Sequence, residues 1–168
     1  WGRNERGQLG YGDTANRGDA AGEMGDALPA VDLGTGRTMV GGAAGDSHMC
    51  ALLDDDGLKC WGSNQNGGLG LGDTASRGDA AGEMGDALPA VDLGTGRTAT
   101  AVAAGLTFTC ARLDNGSVKC WGVNNFGQLG LGDTASRGDG AGEMGDALPA
   151  VDLGPGRTAV AIAVGSTH

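Results

Sequence analysis

The chain has 168 residues, of which 36 are glycine and only 4% are aromatic, and because glycine costs about 1 kcal/mol at a helical position this composition excludes long helices. The formal net charge of −10 is spread along the whole length, which argues against nucleic acid or anionic lipid as a direct partner. No stretch reaches the roughly 20 apolar residues of a membrane span, and neither a signal pattern nor an initiating Met begins the chain, so we expect an excerpt of a longer protein.

The sequence repeats itself with a period of 60 residues. Trp1, Trp61 and Trp121 each begin a Trp-Gly-x-Asn string, and residues 71–98 return as 131–158 with only two substitutions. Each copy is therefore expected to be one structural unit that buries its apolar faces against its neighbours. The predicted repeats are 1–60, 61–120 and 121–168, the last incomplete.

The middle copy begins at Trp61 and continues into a turn-rich stretch, 67–74, in which glycines surround the alternating Leu69 and Leu71. So many glycines indicate turns with positive φ and close approaches between backbone segments. Residues 75–87 are polar and glycine-rich, with neither a strand nor a helix period. We interpret them as a surface loop.

Four short strands are predicted after this loop, in up-and-down order, as in one propeller blade. Pro89 suits the start of a strand or an edge, and Asp114-Asn115-Gly116 is a hairpin signal between the last two strands. The strands are predicted at 88–93, 98–105, 107–113 and 117–121. The predicted core consists of Trp61, Leu69, Leu71, Val91, Leu93, Val102, Leu113 and their counterparts.

Two strings resemble the signature of the regulator of chromosome condensation repeat family. They are Cys-Trp-Gly-Val-Asn-Asn-Phe-Gly-Gln-Leu-Gly-Leu-Gly-Asp-Thr at 120–134 and Ala-Ala-Gly-Asp-Ser-His-Met-Cys-Ala-Leu at 43–52. The resemblance covers the whole chain, 1–168. It implies an all-β fold, a partial β-propeller with blades of four antiparallel strands, about three of an expected seven. Family members include a nuclear exchange factor for a small GTPase and many proteins that use the propeller as a docking platform.

The chain departs from the family pattern in two ways. Residues 77–88 are longer than the family's usual link and lengthen one loop in every blade. The chain also holds fewer than three full repeats, so it cannot close a seven-bladed ring alone. Its open ends would expose edge strands that invite pairing with another chain.

The four cysteines form two pairs with ten-residue spacing, Cys50 with Cys60 and Cys110 with Cys120. A three-residue hairpin loop with Gly116 in the left-handed conformation would place the second pair directly opposite each other, within disulfide range. A two-residue turn would shift the register by one and turn the two sulfurs to opposite faces. One disulfide per repeat implies an extracellular or other oxidising compartment, whereas four buried thiols would suit the cytoplasm or nucleus.

Zinc is a further alternative for the cysteines, because His48 lies two residues before Cys50. The spacing lacks the close cysteine pairs of structural zinc sites, and Phe108 takes the place of His48 in the middle copy. We therefore interpret His48 and His168 as structural groups that hold the inner turn of a blade.

The lengthened loops carry carboxylates that are candidates for a recognition surface. They could also bind calcium, but their spacing matches no known calcium loop, and solvated carboxylates are the simpler interpretation. An Arg-Gly-Asp tripeptide at 17–19, 77–79 and 137–139 is similar to an integrin-binding motif, although so short a motif also arises by chance. The interaction-loop candidates are Asp19, Glu23, Asp26, Asp79, Glu83, Asp86, Asp139, Glu143 and Asp146.

The repeats lack the arrangement of unlike groups that catalysis needs, since the two histidines occupy equivalent places in separate copies. We therefore expect a non-catalytic protein-interaction or scaffold module, without a metal or cofactor, whose partner is a protein. The family resemblance offers one alternative, an exchange-factor-like regulator of a small GTPase. The open blade edges offer another, a structural repeat protein that self-associates.

The disulfide hypothesis predicts that no cysteine reacts with iodoacetamide when the protein is unfolded without a reductant. Mass spectrometry should then detect alkylation of the four cysteines only after reduction. Free alkylation of all four thiols in unreduced protein would contradict the hypothesis.

Overall fold

The computed structural model describes residues 1–168, and its only helices are three single-turn 3-10 helices at Gly25–Ala27, Gly85–Ala87 and Gly145–Ala147. Six strands form two three-stranded antiparallel sheets. The first sheet contains β1 (Met39–Ala44), β2 (His48–Leu53) and β3 (Leu58–Gly62), and the second contains β4 (Ala99–Ala104), β5 (Phe108–Leu113) and β6 (Val118–Gly122). None of the helices is long and apolar enough to cross a membrane.

Three-residue hairpin loops set the register of both sheets. In the second sheet Gly116 has a φ of 77°, and the Leu113 N–H donates to the Ser117 carbonyl at 2.8 Å. This confirms the three-residue alternative. In the first sheet the left-handed residue is Asp56, with a φ of 66°, rather than Gly57. A short polar side chain is one of the few that tolerate this conformation.

This register brings the cysteines of each pair face to face. Cys50 lies opposite Cys60 and Cys110 lies opposite Cys120, with sulfur–sulfur separations of 2.10 and 2.12 Å. All four side chains are buried. The cysteine pairs therefore have the geometry of cross-strand disulfides, and the alternative in which the sulfurs face opposite sides is wrong.

The predicted strand at 88–93 is extended but makes no continuous ladder. Its backbone hydrogen bond to the first sheet runs from the Val91 N–H to the Leu58 carbonyl at 2.7 Å, and the equivalent bond recurs one repeat later. Pro89 has no N–H to extend this pairing. The segment therefore flanks the sheet that precedes it, in the outermost position of that blade. The prediction that it begins the next blade is wrong.

Residues 159–164, which are equivalent to β1 and β4, form no strand. They instead lie against the second copy. The Ala159 N–H donates to the Gly116 carbonyl at 2.8 Å, and the Leu106 N–H donates to the Ser166 carbonyl at 3.0 Å.

The largest core cluster lies between the two sheets. It joins Cys50 and Leu58 of the first sheet to Leu113 and Trp121 of the second. Among the predicted core residues, Leu71 and Val102 are only partly buried against this cluster. The others of the middle copy are buried, namely Trp61, Leu69, Val91, Leu93 and Leu113. Some of their counterparts are not: Trp1 is exposed, and the partly buried ones are Leu9, Val31, Leu33, Val151 and Leu153. Each sheet thus buries its faces against neighbouring repeats, as the repeat period predicts.

The buried tryptophans join each sheet to the copy before it. The indole N–H of Trp121 donates to the Gly68 carbonyl at 3.0 Å, and that of Trp61 donates to the Gln8 carbonyl at 3.1 Å. A Cβ atom on Gly70 would lie 2.7 Å from the Trp121 nitrogen. Only glycine lets the preceding loop pass so close to the ring.

Trp61→Ala is expected to lower the free energy of unfolding by about 3 to 5 kcal/mol, because it leaves a large cavity. Trp1→Ala is the matched control, since Trp1 begins the same motif but is 78% exposed against 3% for Trp61. It should change stability by less than about 0.5 kcal/mol. Urea denaturation followed by circular dichroism measures both, and equal losses would contradict the packing described.

Candidate interaction surfaces

The long loops, residues 77–88 in the second copy and 137–148 in the third, pack on the preceding copy. The Gly12 N–H donates to the Gly78 carbonyl at 3.1 Å, and the equivalent bond, also 3.1 Å, ends on Gly138. Both acceptor glycines are buried. Much of the stretch interpreted as a surface loop is therefore an inter-repeat contact.

Asp86 joins its long loop to the preceding copy. Its carboxylate accepts the backbone N–H of Thr35 at 2.9 Å and the Thr35 hydroxyl at 2.6 Å. Asp146 makes the same two bonds to Thr95, at 2.9 and 2.6 Å. The hydroxyl and backbone donors of Thr35 lower the pKa of Asp86, with a smaller contribution from the positive charge of Lys59. Two of the predicted recognition residues thus have a role within the fold.

Lys59 completes this contact from the sheet side, and its role could not be predicted from the sequence. Its ammonium group donates to the Leu33 carbonyl at 3.0 Å and to the Gly85 carbonyl at 2.8 Å. Lys119 repeats the arrangement one copy later. The sequence offers one signal for this role, a lysine between apolar residues of a predicted strand. That pattern by itself predicts an exposed charge rather than a buried contact.

The glutamates of the long loops accept hydrogen bonds within their own loops. Glu23 and Glu83 each accept the N–H of the alanine three residues before them, at 3.1 and 3.0 Å. Glu143 accepts the N–H of Gly140 at 2.9 Å. Burial and a hydrogen bond with Glu143 raise the pKa of Asp139. These carboxylates stabilise the loop conformation.

The remaining loop candidates differ in exposure. Asp19 and Asp26 are exposed in the first copy, whereas Asp79 is partly buried. The Arg77 guanidinium bonds to Asp73 at 2.7 Å, so the second Arg-Gly-Asp tripeptide has a paired arginine and a buried glycine. No group of three or more His, Cys, Asp or Glu side chains is arranged to hold a metal ion.

A buried asparagine shapes the loop that follows each tryptophan. Asn64 donates to the Asp73 backbone carbonyl at 2.8 Å and accepts the Leu69 N–H at 3.0 Å. Its neighbours Gln65 and Asn66 are exposed. We call these segments the tryptophan loops, and they comprise residues 2–6, 62–66 and 122–126.

Three further turns, the inner turns, lie next to the tryptophan loops. The Ser63 N–H donates to the Ser47 carbonyl at 2.8 Å, and the corresponding bond in the second copy, Val123 to Thr107, is 3.1 Å. The second and third inner turns contact each other through the bond from Leu106 to Ser166. The inner turns are residues 45–47, 105–107 and 165–167.

His48 joins the first inner turn to the second sheet. It is 3% exposed, and its Nε2 lies 2.9 Å from the Thr109 hydroxyl, which donates to the Gly68 carbonyl at 2.8 Å. Because that hydroxyl proton is already used, Nε2 must carry a proton and donate it. Burial lowers the pKa of His48 to about 4. His48 is therefore a neutral structural group, as predicted, whereas His168 is exposed.

Comparisons with known proteins agree with this geometry. A family model described as the regulator of chromosome condensation (RCC1) repeat matches residues 1–52 and 115–168. A second model of the same description matches residues 40–67 and 99–128.

Curated relatives extend the similarity. The chain is 34% identical over 139 residues to the ultraviolet-B receptor UVR8 of Arabidopsis thaliana, an alignment that covers 82% of this chain and 28% of UVR8. It is 32% identical over 132 residues to the RCC2 homolog of Xenopus laevis, covering 77% of this chain and 22% of that protein. The chain thus spans less than a third of either relative.

The fold is also similar to a solved structure, yeast RCC1 (Prp20) bound to Kap60. The TM-score is 0.63 at 20% identity, and the match covers 99% of this chain and 35% of that chain. The two sheets therefore have the arrangement of blades in an RCC1-type propeller.

His48→Phe, which introduces the residue of the second copy, should weaken the pH dependence of stability. The pKa of His48 is about 4 in the fold and 6.5 without it, so between these values the unfolded chain binds more protons and acidification favours unfolding. The wild type should lose about 3 kcal/mol more than the variant as the pH falls through this window.

Urea denaturation at a series of pH values measures this difference. His168→Phe is the control and should keep the wild-type pH dependence, because its ring is exposed. Identical pH profiles for the wild type and His48→Phe would show that burial of His48 has no such effect.

Proposed function

Because the chain belongs to the RCC1 repeat family, we propose that it is a section of a β-propeller that binds protein partners and performs no catalysis. One observation supports this most directly: the polar groups that could do chemistry already have partners inside the frame. His48 donates to Thr109, Lys59 donates to two carbonyls, and Asp86 accepts from Thr35. The side chains left for function are those exposed on the loops.

The known relatives support a binding role. UVR8 is described as a receptor, and the yeast RCC1 structure contains a protein partner, Kap60. A rigid frame with exposed loops suits docking, because little conformational freedom is lost when a partner binds. Fold alone does not identify the partner.

The partner class follows from charge. With a net charge of −10, the chain repels phosphate backbones, so a protein with a neutral or basic surface fits best. The long-loop carboxylates remain candidates for contacting it, although Asp86 and Asp146 already bind the preceding copy. Exposed residues such as Asp19 make no such contact with a preceding copy and remain available to a partner.

The cysteine pairs support an oxidising compartment. Cys50 lies directly opposite Cys60 and Cys110 opposite Cys120, and all four side chains are buried. Disulfides between such pairs persist where thiols are not kept reduced. We therefore infer that this section functions outside the reducing cytoplasm or nucleus.

Self-association is a second candidate, favoured by an apolar groove of about 310 Å³ beside the second sheet. Val118, Leu129 and Ile162 line it. The equivalent surface of the first sheet, around Leu58 and Leu69, is covered by the second. A further repeat, in the same chain or another, would bury this groove in the same way.

Selection from a random peptide display library tests the binding role. The folded, oxidised chain should enrich a peptide family that binds with a dissociation constant near the micromolar range, about −8 kcal/mol. The reduced, urea-unfolded chain is the control and should not bind it. Failure to enrich any peptide would count against the proposed function.

Two parallel measurements separate the alternatives. Sedimentation velocity of the same sample should show a monomer, whereas a concentration-dependent oligomer would favour self-association. Addition of the chain to a small GTPase loaded with a fluorescent nucleotide should leave the exchange rate unchanged. Acceleration would favour the exchange-factor alternative.

A further inference from the structure

The long loops and their flanks hardly differ between copies. Residues 71–98 and 131–158 differ at two of 28 positions, Ala80 to Gly140 and Thr95 to Pro155. The contacts described above explain this constraint, because the loop must fit the preceding copy at each repeat. A surface built on these loops would offer the same groups at every blade.

The exposed positions of the tryptophan loops differ in every copy. Asn64 and its counterparts are the same in all three and are buried. The positions next to this asparagine read Arg3, Glu5 and Arg6 in the first copy, Ser63, Gln65 and Asn66 in the second, and Val123, Asn125 and Phe126 in the third. The two positions that follow the asparagine are exposed in all three copies, and no residue is repeated at either of them.

The inner turns differ in the same way. The first position after the turn glycine is Asp46, then Leu106, then Ser166. The side chain at this position is not needed to hold the turn, because backbone hydrogen bonds hold it. The inner turns and tryptophan loops together form what we call the inner-turn face.

The inner-turn face is neutral in its second and third copies, in a chain with a net charge of −10. It carries two exposed apolar side chains, Leu106 at 42% and Phe126 at 79% exposure. Around them lie the amide and hydroxyl groups of Gln65, Asn66 and Asn125. Exposed aromatic groups within a polar, uncharged rim are typical of the centre of a protein-binding surface.

The inner-turn face also contains a concave depression. A cavity of about 380 Å³ lies between the three inner turns, with Asp46, Leu106, Val164 and Ser166 among its lining residues. That volume is enough to hold a large side chain of a partner.

The geometry points to the inner-turn face as the site of copy-specific recognition. Its occupant is an extended, uncharged peptide segment of a partner protein, with one apolar residue packed against Leu106 and another against Phe126. This inference rests on the proposed function and names the surface that performs it.

The opposite end of the sheets is a weaker candidate. Its hairpin turns carry Asp54 and Asp114, which pair with Arg37 at 3.5 Å and Arg97 at 3.1 Å. The first turn also carries Asp55, which pairs with Arg37 at 2.9 Å and is replaced by Asn115 in the second copy. These turns are therefore acidic and held by ion pairs, and they expose no large apolar side chain that could anchor a partner.

Copy-swap variants test the inference, because each replacement residue already occupies the same position in another copy. Leu106→Asp introduces the residue of the first copy, and Phe126→Asn introduces the residue of the second. The double variant should bind the selected peptides at least about tenfold more weakly, the loss typical of central interface residues. Its thermal unfolding midpoint should match the wild type.

Two controls make the result specific. Val160→Thr also introduces the residue of another copy, at a side chain that is 87% exposed but outside the inner-turn face, and it should bind like the wild type. Asp79→Asn combined with Asp139→Asn tests the long loops.

Loss of binding in the long-loop variant, with full binding in the Leu106 and Phe126 variant, would overturn the inference and leave the proposed function intact. Failure of the wild-type chain to bind any peptide would overturn both. Titration by fluorescence anisotropy distinguishes these outcomes.

Discussion

Each copy depends on its tryptophan reaching the copy before it. Trp121 places its ring beside Gly70 and donates its N–H to the Gly68 carbonyl, so one side chain supplies both apolar burial and a satisfied polar contact. Trp1 begins the same motif but packs against no other copy in this structure, and it is exposed. Burial of the tryptophan is therefore a property of the interface between repeats rather than of the repeat itself. This nearest-neighbour dependence is what makes a repeat array cooperative.

The dependence of each copy on the preceding one also separates the residues that hold the repeats together from those that remain on the surface. The long loop must meet the preceding copy through Gly78, Asp86 and, by way of Gly85, the ammonium of Lys59. Nearly every position of that loop is unchanged from the second copy to the third. Leu106 and Phe126 are exposed, and their positions carry different residues in each copy. A substitution at such an exposed position can change what the surface binds without disturbing an interface between repeats.

Many of the carboxylates of this acidic chain make hydrogen bonds or ion pairs within the fold. Asp86 and Asp146 accept hydrogen bonds from threonines of the preceding copy, and Asp73 pairs with Arg77 inside its own loop. The hydroxyl and backbone donors of Thr35 and Thr95 lower the pKa values of the first two. Asp86 and Asp146 therefore hold their loops on the preceding copy, whereas Asp73 stabilises the conformation of its own loop. This arrangement leaves the inner-turn face of the later copies free of charge.

The sequence by itself determined the β class and the 60-residue unit, and it narrowed the hairpin register to two alternatives, because these follow from local signals. The structure decided between them: Gly116 has a positive φ in a three-residue loop, and that loop places Cys110 opposite Cys120. Only the tertiary structure decided that segment 88–93 flanks the preceding sheet and that the long loop docks on the preceding copy. Asp86 and Thr35 are 51 positions apart, and no local periodicity links them. Their contact exists because stacked repeats bring two exposed segments together, and the stacking geometry depends on all the packed faces at once.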